Sequence, residues 1–326
     1  MKVLFVASGN SPQGISPIIR NQGESLQKAG LTIGFFAITG KGFKGYLKSI
    51  LELRKYLSAH KYDIIHAHYG LSAIVALFAK RKGKLIVSFM GDDLVGSNRS
   101  DGSVTFSSKL GVLLNILQAK TFYSFCIIKS GEMNDILRLN HKALIPNGVD
   151  LEKFHFISKE KARSLTGVNL NDKLVIFISD TKRTEKNYKL AEESVALLSD
   201  FKVKFLPLTG VDHSVLINYY NTADVLILTS FHEGSPNVIK EAMACNCPIV
   251  STNVGEVKWL MGNIAGCHIS SFDPVEFAEK IKLAIAFRGK HGQTNGRERI
   301  IELGLDSETV AGKIINVYKK VLTIDD

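Results

Sequence analysis

The sequence predicts an α/β chain built as two doubly wound parallel sheets in succession. Three observations predict it. Short apolar segments alternate with helical stretches through the first half, which is the pattern of parallel β-α-β units. The alternation breaks at Ile145-Pro-Asn-Gly-Val-Asp-Leu-Glu-Lys-Phe154, where Pro146 and Asn147-Gly148 are strong turn signals, and it resumes at residues 174–179. At 326 residues the chain is too long for one comfortable core and long enough for two.

Taken in order, residues 2–7 read as a strand and residues 8–14 as a loop containing Gly, Ser and Pro, with a helix running to about residue 29. Residues 31–38 form the next strand, a basic helix spans 43–57, and a strand covers 62–66. Residues 72–82 are helical and 84–89 extended. Ligands of such sheets bind at the carboxyl ends of strands. Ser8-Gly9-Asn10, His66-Ala-His68 and Gly91-Asp-Asp93 belong there. In the second half, helices at 189–198 and 214–221 alternate with strands at 202–206, 224–229 and 248–251, and a helix over 307–321 ends the chain. The expected organisation is an N-terminal Rossmann-like domain over 1–153 and a C-terminal one over 154–308. Residues 309–326 form a terminal helix that packs back on the first domain.

Hydrophobic content of 45% and charged content of 22% describe an ordinary globular protein. No apolar run approaches bilayer length; residues 71–79 come nearest. The opening residues suit a strand better than a signal peptide, so a cytoplasmic location is expected. Cys126, Cys245, Cys247 and Cys267 lack the spacing of a metal or disulfide framework and read as small buried thiols.

The net charge of +10 gathers early, with Lys44, Lys48, Arg54 and Lys55 on the helix over 43–57. Leu47, Ile50, Leu51 and Leu57 recur there at helical spacing. One reading is a solvated helix with its apolar side on the core. Another adds adhesion to an anionic membrane surface. Nucleic acid is not expected as a partner, because no nucleic-acid module is present.

The densest chemistry lies in Ser230-Phe-His-Glu-Gly-Ser-Pro-Asn-Val-Ile-Lys-Glu-Ala-Met-Ala244. A strand ends in a glycine-containing loop that enters a helix. Ser235 suits the N-cap and Pro236 the first helical position. The amides of such a helix start form an anion site. Glu233 precedes it and Glu241 lies about two turns into the helix, sharing a face with Asn237. Two glutamates at this spacing are more often structural when taken alone. A phosphate flanked by two carboxylates nevertheless suits a nucleotide sugar, one acid for ribose hydroxyls and one for the sugar.

Four motifs together carry a resemblance: Asp63-Ile-Ile-His-Ala-His68, Ile145-Pro-Asn-Gly-Val-Asp150, Tyr219-Tyr-Asn-Thr-Ala-Asp224, and Glu233-Gly-Ser-Pro-Asn-Val-Ile-Lys-Glu241-Ala-Met-Ala. In order and spacing the chain resembles the retaining nucleotide-sugar glycosyltransferases of family 4, which have the GT-B fold. The resemblance implies two Rossmann-like domains facing a central cleft, with the donor held mostly by the second. It implies a donor ribose on Glu241 and Glu233 beside the donor sugar as the catalytic position. Gly234, Ser235, Asn237 and Val238 would line the sugar and phosphate, and Arg183 with Lys186 would neutralise the diphosphate. Gly14 resembles the first-domain glycine turn that approaches the phosphates. Met90 stands where many relatives carry a histidine, which leaves His68, Asp92 or Asp93 for the sugar or acceptor side. Asn246 replaces a usual glycine, and Gly255-Glu-Val-Lys-Trp259 replaces a pattern ending in Pro-Glu.

The implied activity is transfer of a sugar from a nucleoside diphosphate sugar to a hydroxyl of a glycan or lipid-linked acceptor. It needs no cofactor and no obligatory metal. Adjacent Asp92 and Asp93 read as a cap or turn, not as metal ligands. Two rival readings remain: an epimerase of the same fold acting on the nucleotide sugar, and a non-catalytic basic protein at a membrane or nucleic acid.

Overall fold

A computed structural model describes residues 1–11, 13–40, 42–80, 83–96 and 105–323. They divide into two compact units. The first comprises the described residues of Met1–Ser97, Val104–Gly148 and Ser307–Asp326, and the second spans Val149–Asp306. The breaks fall a few residues before the expected 153/154 and 308/309. Val149 and Phe154 explain the first difference, since both are buried in the second unit's core.

The first unit runs β1 (Lys2–Ser8), α1 (Pro17–Lys28), β2 (Thr32–Ile38), α2 (Gly42–Ala59), β3 (Ile64–His68), α3 (Gly70–Ala79), β4 (Lys84–Ser88), α4 (Asp92–Val95), α5 (Phe106–Thr121), β5 (Phe125–Ile128), α6 (Gly131–Ile136) and β6 (Lys142–Leu144). The second continues with α7 (Lys159–Thr166), β7 (Lys173–Ile178), α8 (Tyr188–Ala196), β8 (Val203–Leu208), α9 (Leu216–Thr222), β9 (Val225–Leu228), α10 (Asn237–Ala244), β10 (Ile249–Thr252), α11 (Val257–Met261), β11 (Cys267–Ser270), α12 (Pro274–His291) and α13 (Gly296–Glu302). Helix α14 (Ser307–Thr323) returns to the first unit.

Both sheets are wholly parallel and doubly wound, in the orders β2-β1-β3-β4-β5-β6 and β11-β10-β9-β7-β8. Strands covered on both faces must be apolar throughout, and Val3 to Ala7 and Val225 to Leu228 are buried without alternation. Each sheet reverses its winding once, between β1 and β3 and between β7 and β9. A ligand site belongs at the carboxyl ends of the strands flanking such a point.

On the first unit, α14 packs Val310, Ile314, Val317, Tyr318 and Val321 into one core face with α1 residues Ile19 and Leu26. Tyr318 OH lies 2.6 Å from His66 Nδ1, and His66 Nε2 lies 2.8 Å from Ser88 Oγ. Burial of His66, aided by Lys129, lowers its pKa to about 3, so the ring is neutral.

The predicted apolar ridge of α2 splits. Tyr46, Ile50 and Leu57 pack on the core with fully buried Leu53, whereas Leu47 and Leu51 are 49% and 61% exposed. Residues 46, 50, 53 and 57 follow one helical row, and Leu47 and Leu51 sit about one residue's turn round from it. Among the described residues no helix is long and apolar enough to cross a membrane.

Candidate functional site

The second unit gathers the predicted donor residues at its winding reversal. Strand β7 delivers the loop Thr181–Asn187, and β9 delivers Thr229 to Pro236. The two loops are stitched together. Phe231 N donates to Glu185 O at 2.9 Å, and Thr229 Oγ1 donates to Lys186 O and Asn187 O at 3.0 Å each. Asn187 adopts a left-handed conformation (φ 48°), which Asn tolerates better than most residues, and so turns the first loop into α8.

This stitching sets Lys186 Nζ 2.6 Å from Glu233 Oε1, an oxygen that also accepts from Ser230 Oγ at 2.7 Å. Both members of the pair are mostly shielded, with side chains 15% and 13% exposed. Arg183, in the same loop, pairs with Glu185 and is half exposed. Partial burial of Glu185 opposes ionisation, yet its own backbone amide and the Arg183 guanidinium hold the carboxyl below the usual range. The loop thus carries three cations: Lys186 held by Glu233, half-exposed Arg183 held by Glu185, and Lys182.

Glu241 is buried, and both its oxygens are engaged. Oε1 accepts from His213 Nε2 at 2.8 Å and Oε2 from Tyr220 OH at 2.7 Å. A carboxylate has about four acceptor sites, so these contacts orient it and still leave lone pairs for two vicinal hydroxyls. Burial of His213 disfavours its charged form, but the Glu241 hydrogen bond and charge outweigh that, and its pKa is raised. Burial and Glu241 together push the Tyr220 hydroxyl well above its ordinary value.

The helix start differs from expectation. Helix α10 begins at Asn237 with Pro236 in the cap position, and Ser235 makes no cap. The Ser235 hydroxyl instead lies 3.4 Å from Nζ of Lys240, a fully buried lysine. Glu241 is therefore one turn into the helix, not two. The amides of Gly234, Ser235, Asn237 and Val238 remain at the loop-to-helix entry, where anions are favoured.

The Tyr219–Asp224 motif proves to be scaffolding. Tyr220 holds Glu241. Asn221 accepts from Ile157 N at 2.8 Å and donates to His155 O at 3.0 Å, fixing the segment that leads into α7. Asp224 accepts from Leu174 N at 2.8 Å and Arg163 Nη2 at 3.0 Å, and pairs with Lys159. Asn246 has φ 56°, which accounts for glycine being usual there; its side chain accepts from Arg297 N at 2.8 Å.

Sequence reasoning singled out neither Ser230, His213, Lys240 nor the role of Gly255. At φ 50°, Gly255 lies so close to the Glu233 loop that an added Cβ would fall 2.2 Å from Gly234 O and 2.3 Å from Glu233 O. Glu256 N donates to Gly234 O at 2.9 Å. A glycine opening a turn after a strand is the only sequence signal for this brace.

The remaining predicted residues lie in the first unit. Gly14, at φ 73°, closes a turn after β1 with its N–H on Ser11 O at 2.9 Å. His68 is 1% exposed, stacked 4.3 Å from the His66 ring and tilted 4.4 Å from Phe5, and neither ring nitrogen has a hydrogen-bond partner. Burial, His66 and Lys129 keep it neutral. Asp93 accepts from the N–H groups of Gly91 and Met90 at 2.9 Å and Gly70 at 3.0 Å, clamping the turn after β4. Burial nonetheless lifts its pKa to about 6. Asp92 is the exposed member of the pair. Among the described residues no cluster of three or more His, Cys, Asp or Glu is placed to hold a metal. Cys126, Cys245 and Cys247 are free and buried, and Cys267 is partly so.

Comparison with known proteins accords with this geometry. The family model "Glycosyltransferase Family 4" matches residues 18–153, and "Glycosyl transferases group 1" matches residues 164–286. A Bacillus subtilis protein named as the teichuronic acid biosynthesis glycosyltransferase TuaC is 26% identical over 224 residues, covering 61% of this chain and 55% of the relative. A D-inositol 3-phosphate glycosyltransferase of Geodermatophilus obscurus is 21% identical over 272 residues, covering 70% and 60%. The chain thus spans less than two thirds of these two relatives. A UDP-Gal:alpha-D-GlcNAc-diphosphoundecaprenol alpha-1,3-galactosyltransferase of Escherichia coli is 24% identical over 254 residues, covering 67% and 64%. Among solved structures, the sucrose-phosphate synthase of Thermosynechococcus elongatus superposes with a TM-score of 0.81 at 16% identity, covering 98% of this chain and 99% of that one. Anabaena HepE in complex with UDP and glucose superposes at 0.74 and 17% identity, covering 98% and 99%. Two parallel doubly wound units, matched in turn by these two models, identify the chain as a member of glycosyltransferase family 4 with the GT-B fold.

Proposed function

We propose that the protein moves a sugar from a nucleoside diphosphate sugar to a hydroxyl of a glycan or lipid-linked acceptor, retaining the anomeric configuration. The observation that carries this reading is the Lys186–Glu233 pair at the β7/β9 reversal, followed one turn into α10 by an oriented Glu241. Glu241 binds the donor ribose. Lys186 and Arg183 balance the diphosphate, whose negative charge grows as the glycosidic bond breaks. The amides of Gly234, Ser235, Asn237 and Val238 meet the sugar hydroxyls and phosphate.

In this scheme the bond from the anomeric carbon to the diphosphate oxygen breaks first. The acceptor oxygen attacks from the same face, and the departing phosphate oxygen takes the acceptor's proton. Glu233, already charged and paired, orients the sugar and offsets positive charge at the anomeric centre. With two cations and a helix start available, no metal is required. On the acceptor side, exposed Asp92 is better placed to exchange contacts than Asp93, which is occupied by three amides, or enclosed His68.

The names of the relatives support a role in polysaccharide or glycolipid synthesis, which we read as cell-surface synthesis at the inner face of a membrane. One names UDP-galactose and a lipid diphosphate acceptor, and HepE is described with UDP and glucose. UDP-sugars therefore lead the panel for titration calorimetry, with GDP- and ADP-sugars beside them. One nucleotide sugar binds the wild-type chain, and Glu241→Ala weakens it about tenfold or more, as loss of two hydrogen bonds to a buried charged acceptor predicts. Unchanged affinity in Glu241→Ala would remove the ribose role, and no binding by any donor would remove the function. Conversion of the donor without acceptor would favour the epimerase.

A further inference from the structure

The second unit carries a groove of about 350 Å³ at the amino-terminal ends of β7 and β8. The Lys186–Glu233 pair follows the carboxyl ends of β7 and β9, so the groove lies at the other end of the sheet. Three pieces of chain form it: residues 170–173 leading into β7, the turn over 198–203 between α8 and β8, and one side of α12. Small-molecule sites start at about 300 Å³, so the groove has room for a compact organic ligand. Its shape follows from α12. Lys282, Ile285, Ala286 and Gly289 stand at i, i+3, i+4 and i+7 and share a face. The core face of that helix is a different one, with Phe277, Ile281, Ala284 and Arg288 buried. Alanine and glycine leave the recess, and a Cβ added to Gly289 meets nothing within 4 Å.

The lining combines apolar surface with unbalanced positive charge. Leu198, Val203 and Ile285 supply apolar wall, and Phe201 adds an aromatic ring that is 42% exposed. Both aspartates of the lining are already neutralised. Asp224 faces two cations, Lys159 and buried Arg163, and Asp172 pairs with Lys204 at 2.6 Å. Lys173 and Lys282 both approach the Phe201 ring, with their Nζ atoms 5.6 Å and 4.8 Å from its centroid. Lys282 also meets Glu279 at 2.6 Å, a residue one turn back on α12 and outside the groove. Two ammonium groups about a single ring repel each other, and an anion beside that ring relieves the repulsion.

We infer that this groove is a second ligand site, for a small organic anion with a flat apolar body. The body packs against Phe201 and the Ile285–Ala286–Gly289 face, and the anionic head meets Lys173 and Lys282. Lysines act as point charges without the fixed fork of a guanidinium, so a carboxylate and a phosphate share the required chemistry. The inference rests on residues of the second unit outside the donor loops and is independent of the donor chemistry.

Ligand-observed NMR titration of the 326-residue chain with 1-naphthoate, 1-naphthyl phosphate and neutral 1-naphthylmethanol tests it. At least one of the two anions binds at about millimolar affinity or tighter, and the tighter of them identifies the head group. The neutral analogue binds at least about threefold more weakly, and added salt narrows that difference. Gly289→Leu fills the recess and abolishes binding, with melting unchanged or raised, because its surroundings are open and leucine favours a helix. Lys173→Gln with Lys282→Gln lowers anion affinity about threefold to tenfold and leaves the neutral analogue unaffected. Absence of binding by both anions, equal binding of the neutral analogue, or undiminished binding in a folded Gly289→Leu variant overturns the proposal.

Discussion

Gly255→Ala should damage the proposed donor site without replacing any residue assigned to the donor. The added methyl would lie 2.2 Å and 2.3 Å from two backbone carbonyl oxygens, those of Gly234 and Glu233, whereas ordinary contact starts near 3.4 Å. Neither carbonyl is a flexible side-chain end, so one backbone must retreat by about 1 Å. The left-handed φ of 50° adds a penalty of about 1 kcal/mol for a residue with a Cβ. Overpacking adds about 1–3 kcal/mol, which gives a loss of about 2–4 kcal/mol in urea denaturation. The retreat also pulls on the Glu256 N–Gly234 O bond and on Glu233, and displacement of a reacting array by about 1 Å costs on the order of 100-fold in rate. Denaturation and transfer kinetics, measured side by side, should show both effects. A variant within about 0.5 kcal/mol and twofold of wild type would refute the bracing argument.

Lys186→Ala leaves Glu233 with Ser230 but no cation; donor affinity should fall about tenfold or more, and wild-type affinity for the free nucleoside diphosphate would argue against a diphosphate contact. His213→Gln tests the raised histidine. Because the folded pKa exceeds the unfolded value of about 6.5, protonated His213 stabilises the fold below that pH, and this contribution disappears as pH rises through the folded pKa. Urea denaturation at about pH 6 and about pH 9 should therefore show a variant deficit that shrinks at the higher pH, and a pH-independent deficit would contradict the pairing. Asp224→Ala leaves the buried Arg163 guanidinium on the carbonyls of Thr222, Asn169 and Leu170 but without its counter-charge and should cost about 3–5 kcal/mol of stability, with a loss under about 1 kcal/mol arguing that those carbonyls suffice.

The parts of the fold that could be read in advance were those whose physics is local. Strands buried on both faces need unbroken apolar runs, so residues 2–7 and 224–229 announced themselves. The loop from Glu233 into α10 was visible because glycine, serine and proline at a strand end leave few conformations. Its detail was not, since Lys240 competes for the Ser235 hydroxyl that would otherwise cap the helix. Helix α5 was not read from the sequence, and its leucines at 110, 113, 114 and 117 prove to be exposed.

By itself the sequence determined the two doubly wound sheets, the family motifs and the pair of glutamates, because periodicity and turn chemistry act over a few residues. The tertiary structure decided what those residues do to one another. Lys186 meets Glu233 across 47 positions and Tyr220 meets Glu241 across 21. Gly255 closes on a loop that precedes it by a whole β-α unit. Such contacts depend on strand order and loop reach. No spacing encodes them until β7 and β9 lie side by side.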